Sequence, residues 1–143
     1  MAEVAPDPEA ALKAGIQALD PVLKRHGFQF RFEKSGLGSG GSFAWGRYLR
    51  NDRSLELHFR FTLGLVTYHI GDASLDHEAY MRALGVYGLN AYPDFPNNPL
   101  ESFDSLGRDL TRYCSDFLSG DGLQFRRFAA DERTQHRTSS GLL

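Results

Sequence analysis

At Gly27 the chain changes its period. Upstream, Leu12, Ile16, Leu19 and Leu23 recur at spacings of three and four, the stripe of an amphipathic helix. Downstream, Phe28, Phe30 and Phe32 alternate with Gln29, Arg31 and Glu33, the pattern of a strand with one buried face. The alternation returns at Leu55, Leu57, Phe59 and Phe61 against Glu56, His58 and Arg60, and again at Val66, Tyr68 and Ile70 against Thr67 and His69. A further strand is expected around Phe43 to Arg50, reached through the loop Gly36 to Gly41, with Asn51 and Asp52 as the turn that follows. Connections this short favour antiparallel pairing, because a parallel pair needs a crossover of about a dozen residues or more. The expected fold class is α+β: a four-stranded antiparallel meander, order 1-2-3-4, with an N-terminal helix and two or three C-terminal helices packed on one face.

The N-terminal helix is expected over about Pro8 to His26, with Gly27 as its stop and a kink or restart at Asp20-Pro21. Beyond the sheet, Asp76 or Ser74 caps a short helix from His77 to Leu84, ended by Gly85. Pro93, Pro96, Pro99 and Asn97-Asn98 make Val86 to Pro99 a long loop. Phe103, Leu106, Leu110, Tyr113, Phe117 and Leu118 define a third helix that stops at Gly120. Residues 121–133, with Phe125 and Phe128, fit a helix or an edge strand equally well. The ends, about 1–7 and 134–143, are expected to be loose. No repeat or linker divides the chain, so one domain over 1–143 is expected. At 143 residues, 41% of them apolar, folding hides roughly two-thirds of the chain's surface.

Sixteen Lys and Arg against eighteen Asp and Glu leave a formal charge of −2, which concentrates neither nucleic acid nor an anionic membrane. Cys114 is the only cysteine, so no internal disulfide forms, and a buried thiol in a reducing compartment is expected. The acidic N-terminus lacks the basic start and apolar run of a signal peptide, and no stretch reaches membrane-spanning length. These features point to a cytoplasmic protein. No cofactor signature is present, and the oligomeric state is unspecified.

Five patterns bear on chemistry. Gly36-Leu37-Gly38-Ser39-Gly40-Gly41 has the G-x-G-x-x-G spacing, but a strand follows where a phosphate site needs a helix start, so a hairpin connection is the better reading. Tyr68, His69, Asp72, Asp76, His77 and Glu78 gather at a strand-to-helix junction. There His69, Asp72 and His77 are candidates for acid–base or metal chemistry, although their spacing matches no ligand signature, against a helix cap and solvated polar residues. His58 and His69 are expected on the polar sheet face with Glu56, Arg60, Arg31 and Glu33, either as a solvated surface or as a recognition patch. Arginines 31, 47, 50, 53 and 60 interleave with strand aromatics as in single-stranded nucleic-acid platforms, yet the phenylalanines follow the buried period and no β-α-β order is present. Last, Tyr87, Tyr92 and Phe95 make the proline-bearing loop aromatic, suited either to anchoring a partner or to closing the core.

The segments LKRHGF (23–28), RSLELHFRFTLGLVTYHIG (53–71) and HEAYMRALG (77–85) resemble small bacterial α+β proteins, some of them similar to immunity proteins of toxin systems. The resemblance covers about half the chain and assigns no site residues. The expected function is that of a non-enzymatic binding or protein-interaction domain with an unknown protein partner, using Tyr87, Tyr92, Phe95, His58 and Arg60. The alternatives are a small enzyme or metal-binding protein using His69, Asp72 and His77, and a single-stranded nucleic-acid binder.

Overall fold

A computed structural model describes residues 7–141, with side chains described through residue 135. Helix α1 (Pro8–Leu23) passes through a 3-10 turn (Lys24–His26) into five strands: β1 (Gln29–Gly38), β2 (Gly41–Arg50), β3 (Arg53–Phe59), β4 (Leu63–Ile70) and β5 (Ala73–Asp76). Four helices follow: α2 (His77–Ala83), α3 (Glu101–Tyr113), α4 (Ser115–Leu118) and α5 (Leu123–Gly141). Each strand pairs antiparallel with the next, in the order β1-β2-β3-β4-β5.

The sheet therefore has five strands, not the expected four. Gly71 at φ 59 closes a tight turn that pairs Ile70 with Ala73, and Ala73 and Leu75 continue the buried alternation. Asp76 then serves twice, ending β5 and accepting the Ala79 amide at 2.8 Å as the cap of α2. Four helices follow the sheet, not two or three. The third expected helix breaks at Cys114, which leaves helical geometry at φ −104 and ψ 30. The segment left open between helix and strand is helix α5, because Phe125 and Ala129, four residues apart, bury on one stripe. The polar stretch from Thr134 continues it to Gly141. The loose start expected at 1–7 falls, but for Asp7, outside the described residues.

Two further expectations shift. Helix α1 runs through Pro21 without the restart expected at Asp20-Pro21, and Asp20 accepts the Tyr48 hydroxyl at 2.6 Å. The glycine-rich stretch is strand almost throughout: Gly38 pairs with Gly41, leaving Ser39 and Gly40 as the whole turn. Gly41 has a backbone, at φ 108, that side-chain-bearing residues rarely adopt. A Cβ on Gly40 would overlap the Arg60 guanidinium, and one on Gly41 would stand 3.3 Å from the Phe61 ring, so side chains of the β3–β4 turn lie directly over the β1–β2 turn.

One face of the sheet carries Ala44, Tyr48, Leu55, Leu57, Phe59, Val66, Tyr68 and Ile70, all buried. Helix α1 covers β1 to β3 of this face, α2 and α5 cover β4 and β5, and α3 packs on α1 and meets Phe59 through Phe103, ring centroids 6.1 Å apart. Arg53 ties the sheet to the helices by donating to the carbonyls of Asp116, Phe117 and Gly120, the last turn of α4 and its exit. Asp116 in turn accepts the amides of Gly122 and Phe125 at the start of α5. Among the described residues no helix is long and apolar enough to cross a membrane.

Candidate functional site

The long loop between α2 and α3 is anchored from beneath by a buried hydrogen-bonded chain. Period two puts Tyr68 on the core face of β4, and the Asp76 cap aims His77, the first residue of α2, back onto it. The Tyr68 hydroxyl lies 2.8 Å from His77 Nδ1, and His77 Nε2 lies 2.9 Å from Asp109 Oδ2 on α3. A carboxylate only accepts, so Nε2 carries the hydrogen, and in the neutral ring Nδ1 accepts a hydrogen bond from the Tyr68 hydroxyl. Cys114 Sγ stands 3.7 Å from the same hydroxyl. Burial holds the Tyr68 hydroxyl well above its ordinary range and pushes the Cys114 thiol up to about 12.

Thiol, phenol, imidazole and carboxylate form the order of an acid–base relay, but all four residues are at most 4% exposed and line none of the four principal clefts. Asp109 also accepts the backbone amides of Ala91 at 2.6 Å and Tyr92 at 2.8 Å. Its lone pairs are thus spent on the loop, and the chain acts as a latch.

The latch fixes what the loop displays. Tyr92 is buried, and its hydroxyl donates to the carbonyls of Leu63 and Gly64 at the start of β4. Asn90 Nδ2 donates to the Tyr92 carbonyl at 2.5 Å, and Asp94 accepts the Ser105 hydroxyl at 2.9 Å. Immediately after these anchors, between Pro93 and Pro96, Phe95 is 100% exposed. Tyr87 is half exposed with the Arg82 guanidinium 3.7 Å from its ring centroid, and Leu89 is 72% exposed.

The second surface is the sheet face opposite the helices. Register places Trp45 beside His58, their rings nearly parallel (8°) with centroids 5.3 Å apart, and Arg47 sits 5.8 Å from the tryptophan ring. Glu56 lies between the two histidines, 2.7 Å from His58 Nε2 and 3.4 Å from His69 Nε2. The longer contact is an ion pair when His69 is charged and is too poorly aligned for a hydrogen bond. Glu33 joins Arg47 and Arg31, whose guanidinium groups, Arg47 foremost, hold its carboxyl below the usual range.

These positions divide the expected residues. His69 is on the open face and His77 is under the sheet, because His69 follows Tyr68 on β4 and takes the opposite side of the pleat, whereas His77 of α2 packs on the Tyr68 side. Asp72 is exposed in the β4–β5 turn and forms no ion pair or hydrogen bond with either histidine among the described residues. His69, Asp72 and His77 are not brought together. Among the described residues no group of three His, Cys, Asp or Glu side chains is placed to hold a metal ion. His58 is on the open face. Arg60 is at the β3–β4 turn, its guanidinium 5.9 Å from the Phe43 ring.

Two functional positions were absent from the sequence reading. Asp109 lies on the buried stripe of α3 one residue before Leu110, and a carboxylate on an apolar stripe is the signal that marks it. Trp45, the one tryptophan of the chain, occupies the polar side of β2. Comparison with protein-family models, with curated proteins and with solved structures returns no match.

Proposed function

We propose that the chain is a protein-interaction domain whose contact element is the loop from Tyr87 to Pro96. The observation that carries this reading is Phe95, wholly in water yet held one and three residues downstream of the anchored Asp94 and Tyr92. Exposing an aromatic ring to water is unfavourable, and most of a core ring's worth of apolar surface waits to be covered. A loop already fixed in place loses little conformational freedom when a partner covers that ring, so the ring's burial is realised as affinity. The buried latch supports the same reading, since it supplies the rigidity.

The experiment is a comparison of partners captured from a lysate of the source cell by the parent protein and by Phe95→Ala, with Tyr87→Ala as a second probe of the loop. Loss of a captured protein on Phe95→Ala is the expected result. Capture of the same proteins in the same amounts by both variants would overturn the assignment of the loop.

A further inference from the structure

The groove between α1 and α3 lies away from the loop and from the open sheet face. Its floor is small and apolar, with Ala18 and Val22 of α1 beside Gly107 of α3, and it is a shallow, open depression of about 490 Å³. Gly107 adds no side chain to the floor, and a Cβ there would make only ordinary contact, 3.7 Å from Leu19 Cδ2. Through Val22 and Thr111 the groove continues into a smaller one of about 190 Å³ floored by Leu118.

The walls are cationic. Arg108 and Arg112 occupy successive turns of α3, and Arg25 stands at the far end beside His26. Asp104 is the one carboxylate lining either part, and no ion pair involves Arg25, Arg108 or Arg112 among the described residues. Among the described residues Arg25 donates only to the Pro21 carbonyl. The nearby acids are committed elsewhere: Asp20 to Tyr48 and Lys24, Asp116 to the amides that open α5. In a chain with net charge −2, three arginines against the single carboxylate of Asp104 along one apolar-floored groove are a local reversal of sign.

We infer that this groove docks an acidic, amphipathic segment of a partner protein, apolar side chains on Ala18, Val22 and Leu118 and carboxylates on Arg25, Arg108 and Arg112. Guanidinium groups match carboxylates with paired hydrogen bonds. The apolar floor selects a peptide over a nucleic-acid strand, whose sugar–phosphate backbone has nothing to bury there and whose bases stack best on Phe, Tyr or Trp rings, none of which line the groove. The groove is independent of Phe95, so either surface stands if the other fails.

The test is fluorescence anisotropy with a short labelled peptide of glutamate and leucine, its lysine–leucine counterpart, and a labelled oligothymidine of similar length. The acidic peptide binds saturably, and the double variant Arg108→Glu/Arg112→Glu weakens it by about tenfold or more. The neutral double variant Arg108→Gln/Arg112→Gln falls between, and Phe95→Ala leaves binding unchanged. Both arginines are exposed and accept no structural role in the fold, so matched thermal melts confirm that the variants are folded. Absence of binding by the acidic peptide, equal binding by the charge-reversed variant, or tighter binding of the lysine peptide or the oligothymidine each overturns the inference.

Discussion

His77 and Asp109, on α2 and α3, meet at 2.9 Å beneath the loop that separates them in sequence, and Asp109 spends its other contacts on the amides of Ala91 and Tyr92. One carboxylate therefore closes the helix-to-helix connection on itself. Replacing it by alanine strands three donors, two of them buried. Asp109→Ala is expected to cost about 3 kcal/mol, in line with removing one partner of a buried charged network. Urea unfolding measures the loss, and amide hydrogen exchange at Ala91 and Tyr92 is expected to quicken by more than global destabilisation accounts for.

Tyr92 and Phe95 are neighbours on the loop with opposite environments. Phe95→Ala removes no packing and is expected to change stability by less than about 0.5 kcal/mol. Tyr92→Ala empties a buried site and breaks the bonds to Leu63 and Gly64, at a cost of about 3 kcal/mol or more. Thermal melts of the two variants separate a displayed ring from a structural one. Equal destabilisation would show that Phe95 is packed.

Gly15 faces the buried Phe103 ring where α1 crosses α3, and a Cβ there would overlap that ring. Alanine is the better helix former, so in an open helix the exchange would stabilise. Here the clash is expected to win, with Gly15→Ala destabilising by about 1–3 kcal/mol because the ring has no space to retreat into. Chemical denaturation decides the sign.

Alkali is expected to unfold the protein cooperatively. The buried Cys114 thiol is pushed up to about 12, against about 8.5 in an unfolded chain. Above the lower value the unfolded chain releases a proton that the folded chain keeps. Stability therefore falls as pH rises between the two, and the contribution is fully present below them. Burial raises the hydroxyls of Tyr48, Tyr68, Tyr80 and Tyr92 in the same direction. Phenolate absorbance from these four is expected to appear together with the loss of secondary structure. Cys114 is expected to resist a thiol reagent at neutral pH until denaturant is added.

The meander was legible because each strand states its buried face in its own residues. Leu55, Leu57 and Phe59 against Glu56 and His58 need no long-range information, and turns at Asn51 and Gly71 permit only the neighbouring strand as partner. Strand β5 was missed because four residues are too short to display a period, and Asp76, which ends it, is also a convincing helix cap. The glycine-rich stretch read as a loop because glycine signals freedom locally. Its pairing is decided across the hairpin, Gly38 against Gly41, with Arg60 and Phe61, some twenty residues later, lying over the turn.

Sequence alone determined the fold class, the order of the meander and the side of the sheet on which His58 and His69 stand, since periodicity is a local property of the chain. Tertiary structure decided which polar groups meet. His69 and His77 are eight residues apart yet separated by the sheet, while His77 and Asp109, thirty-two residues apart, form a bond. Spacing along a strand sets the face a side chain takes, but only the packing of α2 and α3 over that face brings a distant carboxylate to the imidazole and leaves Phe95 in water.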